Sequence, residues 1–143
     1  MLTGCAATYK EPASVYQPLS ASLGASKLEV LRGVKQALVL DGFQITNADD
    51  AVGVVSTAPR NFRLTPAQAD CGTTMGIDYL KDNRTDTKLA YGVLVADGRV
   101  TIRTTIEGQY KPGAVDQNIT LSCVSRGGLE RDLLAKIRAA MPT

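Results

Sequence analysis

Residues 88–107, KLAYGVLVADGRVTIRTTIE, decide the fold. Leu89, Tyr91, Val93 and Val95 alternate with Lys88, Ala90, Gly92 and Leu94, which is the period of a strand with one buried face. After Asp97-Gly98 the alternation resumes, with Val100, Ile102 and Ile106 set against Arg99, Thr101, Arg103, Thr105 and Glu107. Asp-Gly between two alternating runs marks a hairpin, because glycine supplies the positive φ that a tight turn needs. The second face of the later strand is polar, so one side of this sheet meets water.

Outward from the hairpin, two amphipathic helices bracket the strands. Ser26-Lys27-Leu28-Glu29 has the form of a capping box. Leu28, Val30, Leu31, Val34, Ala37 and Leu38 then make one apolar face, with Lys27, Arg32, Lys35 and Gln36 turned to water. Gly42 sits where a left-handed cap closes the helix. Phe43 and Ile45 begin a strand, Asn47-Ala48-Asp49-Asp50 reads as a turn, and Val52, Val54 and Val55 as the next strand. Pro59, Pro66, Gly72 and Gly76 interrupt residues 59–86, which predicts a long loop with at most one short strand near Met75–Leu80. Beyond the hairpin, Lys111-Pro112-Gly113 turns the chain and Ile119, Leu121 and Cys123 form a strand. Leu129, Leu133, Leu134, Ile137 and Met141 then lie on one helical stripe, with Glu130, Arg131, Lys136 and Arg138 on the solvent side. An extra strand fits around Val15–Leu19. The pattern predicts an α+β fold: a two-layer sandwich, with two helices on one face of a mostly antiparallel, four- to five-stranded sheet.

Composition narrows the function. The 16 Lys and Arg against 14 Asp and Glu leave a net charge of +2, spread too evenly to predict a nucleic-acid partner. Histidine is absent, so no imidazole is available to activate a serine or cysteine nucleophile or to ligate zinc. We expect no enzyme, cofactor or metal, with a carboxylate or Ser/Lys hydrolase as the distant alternative. Asp78, Asp82, Asn83 and Asp86 lack the spacing of a calcium loop and read as a solvated segment. Ser125-Arg126-Gly127-Gly128 leads into the last helix without the Lys-Ser/Thr ending of a phosphate loop, and reads as a tight link.

Leu2-Thr3-Gly4-Cys5 resembles the bacterial lipobox. The resemblance implies cleavage before Cys5, acylation of that cysteine and attachment to membrane lipid, which several acyl chains make firm. Ala6 after the cysteine implies, by the same resemblance, the outer membrane with the protein facing the periplasm. The charged and apolar segments of a secretion signal do not precede the motif, and the reading is of a chain that starts just upstream of the lipidated residue. Residues 1–5 are then the lipobox remnant. Residues 6–25, rich in Ala, Ser and Pro, read as a flexible tether reaching roughly 25 Å, and residues 26–143 as one disulfide-stapled domain.

With Cys5 as anchor, Cys71 and Cys123 remain as a pair. An oxidising periplasm permits their disulfide, although two separate buried thiols are the plainer alternative. The order helix, strands, helix on a lipidated tether resembles the small accessory lipoproteins of outer-membrane assembly and transport machines, the BamC type among them. That resemblance implies a non-enzymatic docking or scaffold subunit with an envelope protein partner. Lys88, Arg99, Thr101, Arg103 and Thr105, on the helix-free face of the hairpin, are the candidate partner-facing residues. A carrier or sensor holding a lipid or small molecule between helices and sheet is the alternative.

Overall fold

Ser26 starts the first helix as its pattern requires: its Oγ accepts a hydrogen bond from the Glu29 N–H at 3.2 Å and donates to Glu29 Oε1 at 3.1 Å. The computed structural model describes residues 9–114 and 117–141. In chain order its elements are β1 (Tyr9–Lys10), β2 (Leu19–Ser22), α1 (Lys27–Leu40), β3 (Ile45–Asp49), β4 (Val54–Thr57) and β5 (Arg60–Asn61). There follow β6 (Ala69–Asp70), β7 (Thr73–Thr74), β8 (Ile77–Asp78), a 3-10 turn at Tyr79–Lys81, β9 (Thr85–Ala96), β10 (Arg99–Tyr110), β11 (Ile119–Ser125) and α2 (Gly128–Ala140). The protein is α+β, with a mostly antiparallel sheet of eight strands and a separate sheet of three. The larger sheet follows the order β3-β4-β9-β10-β11-β6, with β2 pairing β10 and β5 pairing β9, and the smaller follows β1-β7-β8.

The chain forms two compact units that share the lengths of β9 and β10. One holds the described residues up to Tyr16 together with Asn61–Leu89 and Thr105–Arg126; the other holds Gln17–Arg60, Ala90–Thr104 and the chain from Gly127.

The second unit contains both helices. Val30, Leu31, Val34, Ala37 and Leu38 of α1 are buried, as are Leu129, Leu133, Leu134 and Ile137 of α2. The helices meet at Gly33, where an added Cβ would stand 2.7 Å from Met141 Cγ and 3.3 Å from the Ile137 carbonyl oxygen. Tyr91, Val93 and Val95 of β9 and Val100, Ile102 and Thr104 of β10 turn inward at alternate positions. The Tyr91 hydroxyl donates to the Leu129 carbonyl at 3.3 Å, and its ring stands edge-on to Phe43 at 5.0 Å. At the hairpin tip Asp97 and Gly98 take φ of 54° and 74°, the positive values that its two-residue turn demands.

The first unit is organised by the outer halves of β9 and β10. Residues Ile106–Tyr110 pair with β11, which pairs in turn with β6. A disulfide joins Cys71 to Cys123, and Cys71 is fully buried. Tyr79 is buried between Tyr9 and Tyr110, with ring centroids at 5.7 and 5.1 Å.

Several expectations are corrected. The large sheet has eight strands rather than four to five, and residues 59–86 hold four two-residue strands and a 3-10 turn rather than a long loop with one strand. Strands of two residues are too short to show any alternation, so only their partners define them. Within the stretch read as a tether, Tyr9–Lys10 and Leu19–Ser22 are hydrogen-bonded strands. Asn47, Ala48 and Asp49 belong to β3, while Val52 lies in the turn before β4 and is exposed. Leu28, assigned to the apolar face of α1, is 53% exposed, and Glu130, assigned to the solvent side of α2, is fully buried. Among the described residues, no helix is long and apolar enough to cross a membrane.

Candidate functional site

The sequence at Thr85–Lys88 alternates between a buried pair, Thr85 and Thr87, and an exposed pair, Asp86 and Lys88. That alternation places acid and base together on the outward face. The Thr87 hydroxyl donates to the Phe62 carbonyl, and the Phe62 N–H returns a bond to the Thr87 carbonyl at 3.1 Å. The Thr85 hydroxyl donates to the Tyr79 carbonyl at 2.8 Å. The two bonds to Phe62 hold that segment beside β9 as a wall, and the Thr85 bond ties the 3-10 turn to the start of the strand.

The result is a cleft of about 550 Å³ in the first unit. Asn61, Phe62 and Arg63 line one side; Asp86, Lys88, Glu107, Gln109 and Lys111 come from the outward face of β9, β10 and the residue after it. Lys111 Nζ lies 3.2 Å from Asp86 Oδ2. Three cations and two carboxylates in one open cleft suit a polar partner of mixed charge. Chemical turnover has less to work with. The hydroxyls of Thr85 and Thr87 already donate to backbone carbonyls, and the chain has no imidazole to deprotonate them.

A second opening of about 340 Å³ belongs to the second unit, between the ends of the helices at Gln36, Ala37, Leu40, Asp41, Lys136, Ala139 and Ala140. Lys136 crosses it to Asp41 at 2.9 Å, with Asp132 at 3.5 Å. The bond to Asp41 holds the ammonium pKa above its ordinary value, against the opposing effect of burial.

A polar clasp adjoins the disulfide in the first unit. Asp70 accepts from the Gly72 N–H at 3.0 Å, the Ser14 N–H at 3.2 Å and the Ser14 hydroxyl at 2.9 Å. Arg126 donates to the Pro66 carbonyl at 2.8 Å and to Ser14 Oγ at 3.2 Å, and stands 3.9 Å from Asp70. Burial is the largest single influence on Asp70 and raises its pKa, but the Gly72 and Ser14 bonds and Arg126 together hold it below the ordinary carboxylate range.

Of the candidates named from sequence, Cys71 and Cys123 are brought together, and Cys5 lies outside the described residues. Lys88, Arg99, Arg103 and Thr105 are exposed and Thr101 is half-buried, all at outward positions of β9 and β10. Lys88 and Thr105 belong to the first unit, and Arg99, Thr101 and Arg103 to the second. Lys88 alone of these lines the large cleft. Arg99 and Thr101 lie alongside β2, where Arg99 Nη2 donates to Ser20 Oγ at 3.3 Å and Thr101 Oγ1 is 3.3 Å from the same hydroxyl. Asp78 caps the Leu80 N–H, Asp82 pairs with Arg84 and Asp86 with Lys111, so these carboxylates are spent on separate local contacts. Gly127 takes φ 100° at the start of α2, with Arg126 drawn into the clasp. Sequence reasoning missed Arg63, Gln109 and Lys111 as cleft residues. For Gln109 and Lys111 the signal was present, since the outward alternation of Arg103, Thr105 and Glu107 continues through them.

No protein-family model matches the chain, and no curated protein matches it. Among solved structures it is similar to a TBP-like protein from Parabacteroides distasonis ATCC 8503, with 17% identity and a TM-score of 0.46. The similarity covers 74% of this chain and 64% of that one, so it spans less than two thirds of that structure.

Proposed function

We propose that this chain is a non-enzymatic outer-membrane lipoprotein, anchored through acylated Cys5 and facing the periplasm, that docks on a larger envelope assembly as an accessory or scaffold subunit. The observation that carries the docking reading is the cleft of about 550 Å³ built on outward-facing sheet residues of both charges. A carrier would need an opening lined by the apolar inner faces of helices and strands, whereas this cleft is lined mainly by polar and charged side chains. The disulfide between Cys71 and Cys123 agrees with an oxidising compartment. In this reading the second unit is a two-layer support whose helices cover the buried face of its strands; the Tyr91–Leu129 bond favours that arrangement.

The experiment is site-specific photo-crosslinking in the native envelope, with the reactive residue at Lys88 or Gln109 and a control at exposed Arg138. One discrete protein adduct from the cleft positions, absent from the control and weakened by the charge reversal Lys111→Glu, and from Gln109 also by Lys88→Glu, is the expected result. Adducts of the same spread from all positions would sink the docking reading. Incorporation of labelled palmitate that survives Cys5→Ser would remove the lipid anchor.

A further inference from the structure

The three-stranded sheet ends in an apolar tip beside the N-terminal end of β1. β1 pairs antiparallel with β7, Tyr9 opposite Thr74 and Lys10 opposite Thr73. Thr74 is the last residue before the turn Met75-Gly76, which leads into β8 at Ile77. β1 therefore begins, at Tyr9, at the same end of the small sheet as this turn. Three residues, and so four Cα–Cα steps, separate Cys5 from Tyr9, a reach of at most about 14 Å if fully extended. The start of β1 is well held. A Cβ on Gly72 would stand 2.2 Å from the Lys10 carbonyl oxygen and 3.2 Å from the Tyr9 ring, and Tyr9 packs on Tyr79.

The tip itself is poorly explained by folding. Met75 has φ 51° and Gly76 φ 79°, a turn geometry in which Asn or Asp normally stands at the first position. Met75 instead takes a left-handed backbone while its side chain is 82% exposed, and Ile77 is 60% exposed. Strain without burial in return is a mark of function. The four residues Thr74–Ile77 carry no charge, so entry into an interface would meet no ionic desolvation cost.

We propose that Met75 and Ile77 form a membrane-contact tip that enters the lipid head-group region next to the acylated Cys5, so that the first unit lies against the bilayer rather than swinging on a long tether. This rests on the lipid-anchor reading above. An anchor at most about 14 Å of chain from the start of β1 keeps the tip near the bilayer surface at high effective concentration, so two apolar side chains suffice for an insertion they could not sustain alone.

The test uses the full, acylated protein in phosphatidylethanolamine–phosphatidylglycerol vesicles. An environment-sensitive fluorophore is placed at Ile77→Cys, or at Val15→Cys as control. Val15 is apolar and 84% exposed, and follows Ser14, which the clasp holds at Asp70, away from the tip. Blue-shifted emission at position 77, quenched by spin-labelled lipids, with a water-like signal at position 15, is the expected result. Met75→Asn suits the left-handed backbone, so it keeps the fold, and it markedly lowers the quenching because the one native apolar side chain left beside the label at 77 is gone. Unchanged quenching in Met75→Asn, or a water-like signal at 77 in protein that still floats with the vesicles, overturns the tip and leaves the anchor standing. A blue shift without lipid quenching means a protein covers the tip, and also overturns it. Protein that neither floats nor incorporates labelled palmitate fails the anchor reading itself, and the tip falls with it.

Discussion

Replacing both bridge cysteines, Cys71→Ala with Cys123→Ala, tests how much of the stability depends on one crosslink. The bridge spans a sequence separation of 52 residues, a segment that includes β7 to β10 and most of β11. In the chain-entropy treatment, closing such a loop removes enough unfolded-state freedom to contribute about 4 kcal/mol. Typical stabilities are about 5–15 kcal/mol, so the double variant is left marginal. Packing adds to the loss, because Cys123 Sγ lies 3.0 Å from where a Cβ on Gly108 would stand and the removed sulfurs leave that space unfilled. The assay is urea unfolding followed by far-ultraviolet circular dichroism, since the chain has no tryptophan. With a slope of about 2 kcal/mol per molar urea for a chain of this size, the midpoint falls by roughly 2 M. The slope should also rise, because the uncrosslinked unfolded chain exposes more surface. A midpoint shift under about 0.5 M with an unchanged slope would refute the reasoning, since it would mean the unfolded chain gains almost nothing from losing the crosslink.

Three further outcomes are expected. Gly53→Ala places a Cβ 2.2 Å from the Val95 carbonyl oxygen at φ +91° and should cost about 3 kcal/mol or more; Gly92→Ala, with nothing within 4 Å, should stay within about 0.5 kcal/mol on the same denaturation curve. Ser26→Ala removes the side-chain acceptor for the Glu29 N–H and should lose about 1 kcal/mol, read as a lower thermal midpoint. The Arg84 side chain and N–H hold the Asp82 carboxyl down to about 2, from 3.8. A depressed folded pKa means that this contribution is fully present above the unfolded value and is lost as pH falls from about 4 through 2. Carbon-detected NMR titration should place the Asp82 midpoint near 2, and Arg84→Met should return it toward 3.8.

What could be read from the chain alone was what repeats within a short window. The alternation through Leu89, Tyr91, Val93 and Val95 and again through Val100 and Ile102, the Asp97-Gly98 turn, the Ser26 cap and the leucine stripe of the last helix all depend on neighbours a few residues away. The pairing of Cys71 with Cys123 was legible by arithmetic once Cys5 was set aside. Tertiary structure decided whatever depends on a distant partner. Tyr9 opposite Thr74 makes a strand out of two residues that have no period of their own. Glu130 sits on the polar side of its helix by pattern, yet is fully buried, because polarity ranks a residue's preference and packing decides its place. The cleft likewise needed Arg63 to be carried alongside Lys88, through bonds between Phe62 and Thr87 that neither local sequence announces. The placing of the exposed Met75 and Ile77 beside the start of β1 also came only from the register between β1 and β7. Local patterns specify which face of a segment is apolar; only the long-range pairing of backbone groups specifies what that face, or the one opposite, will meet.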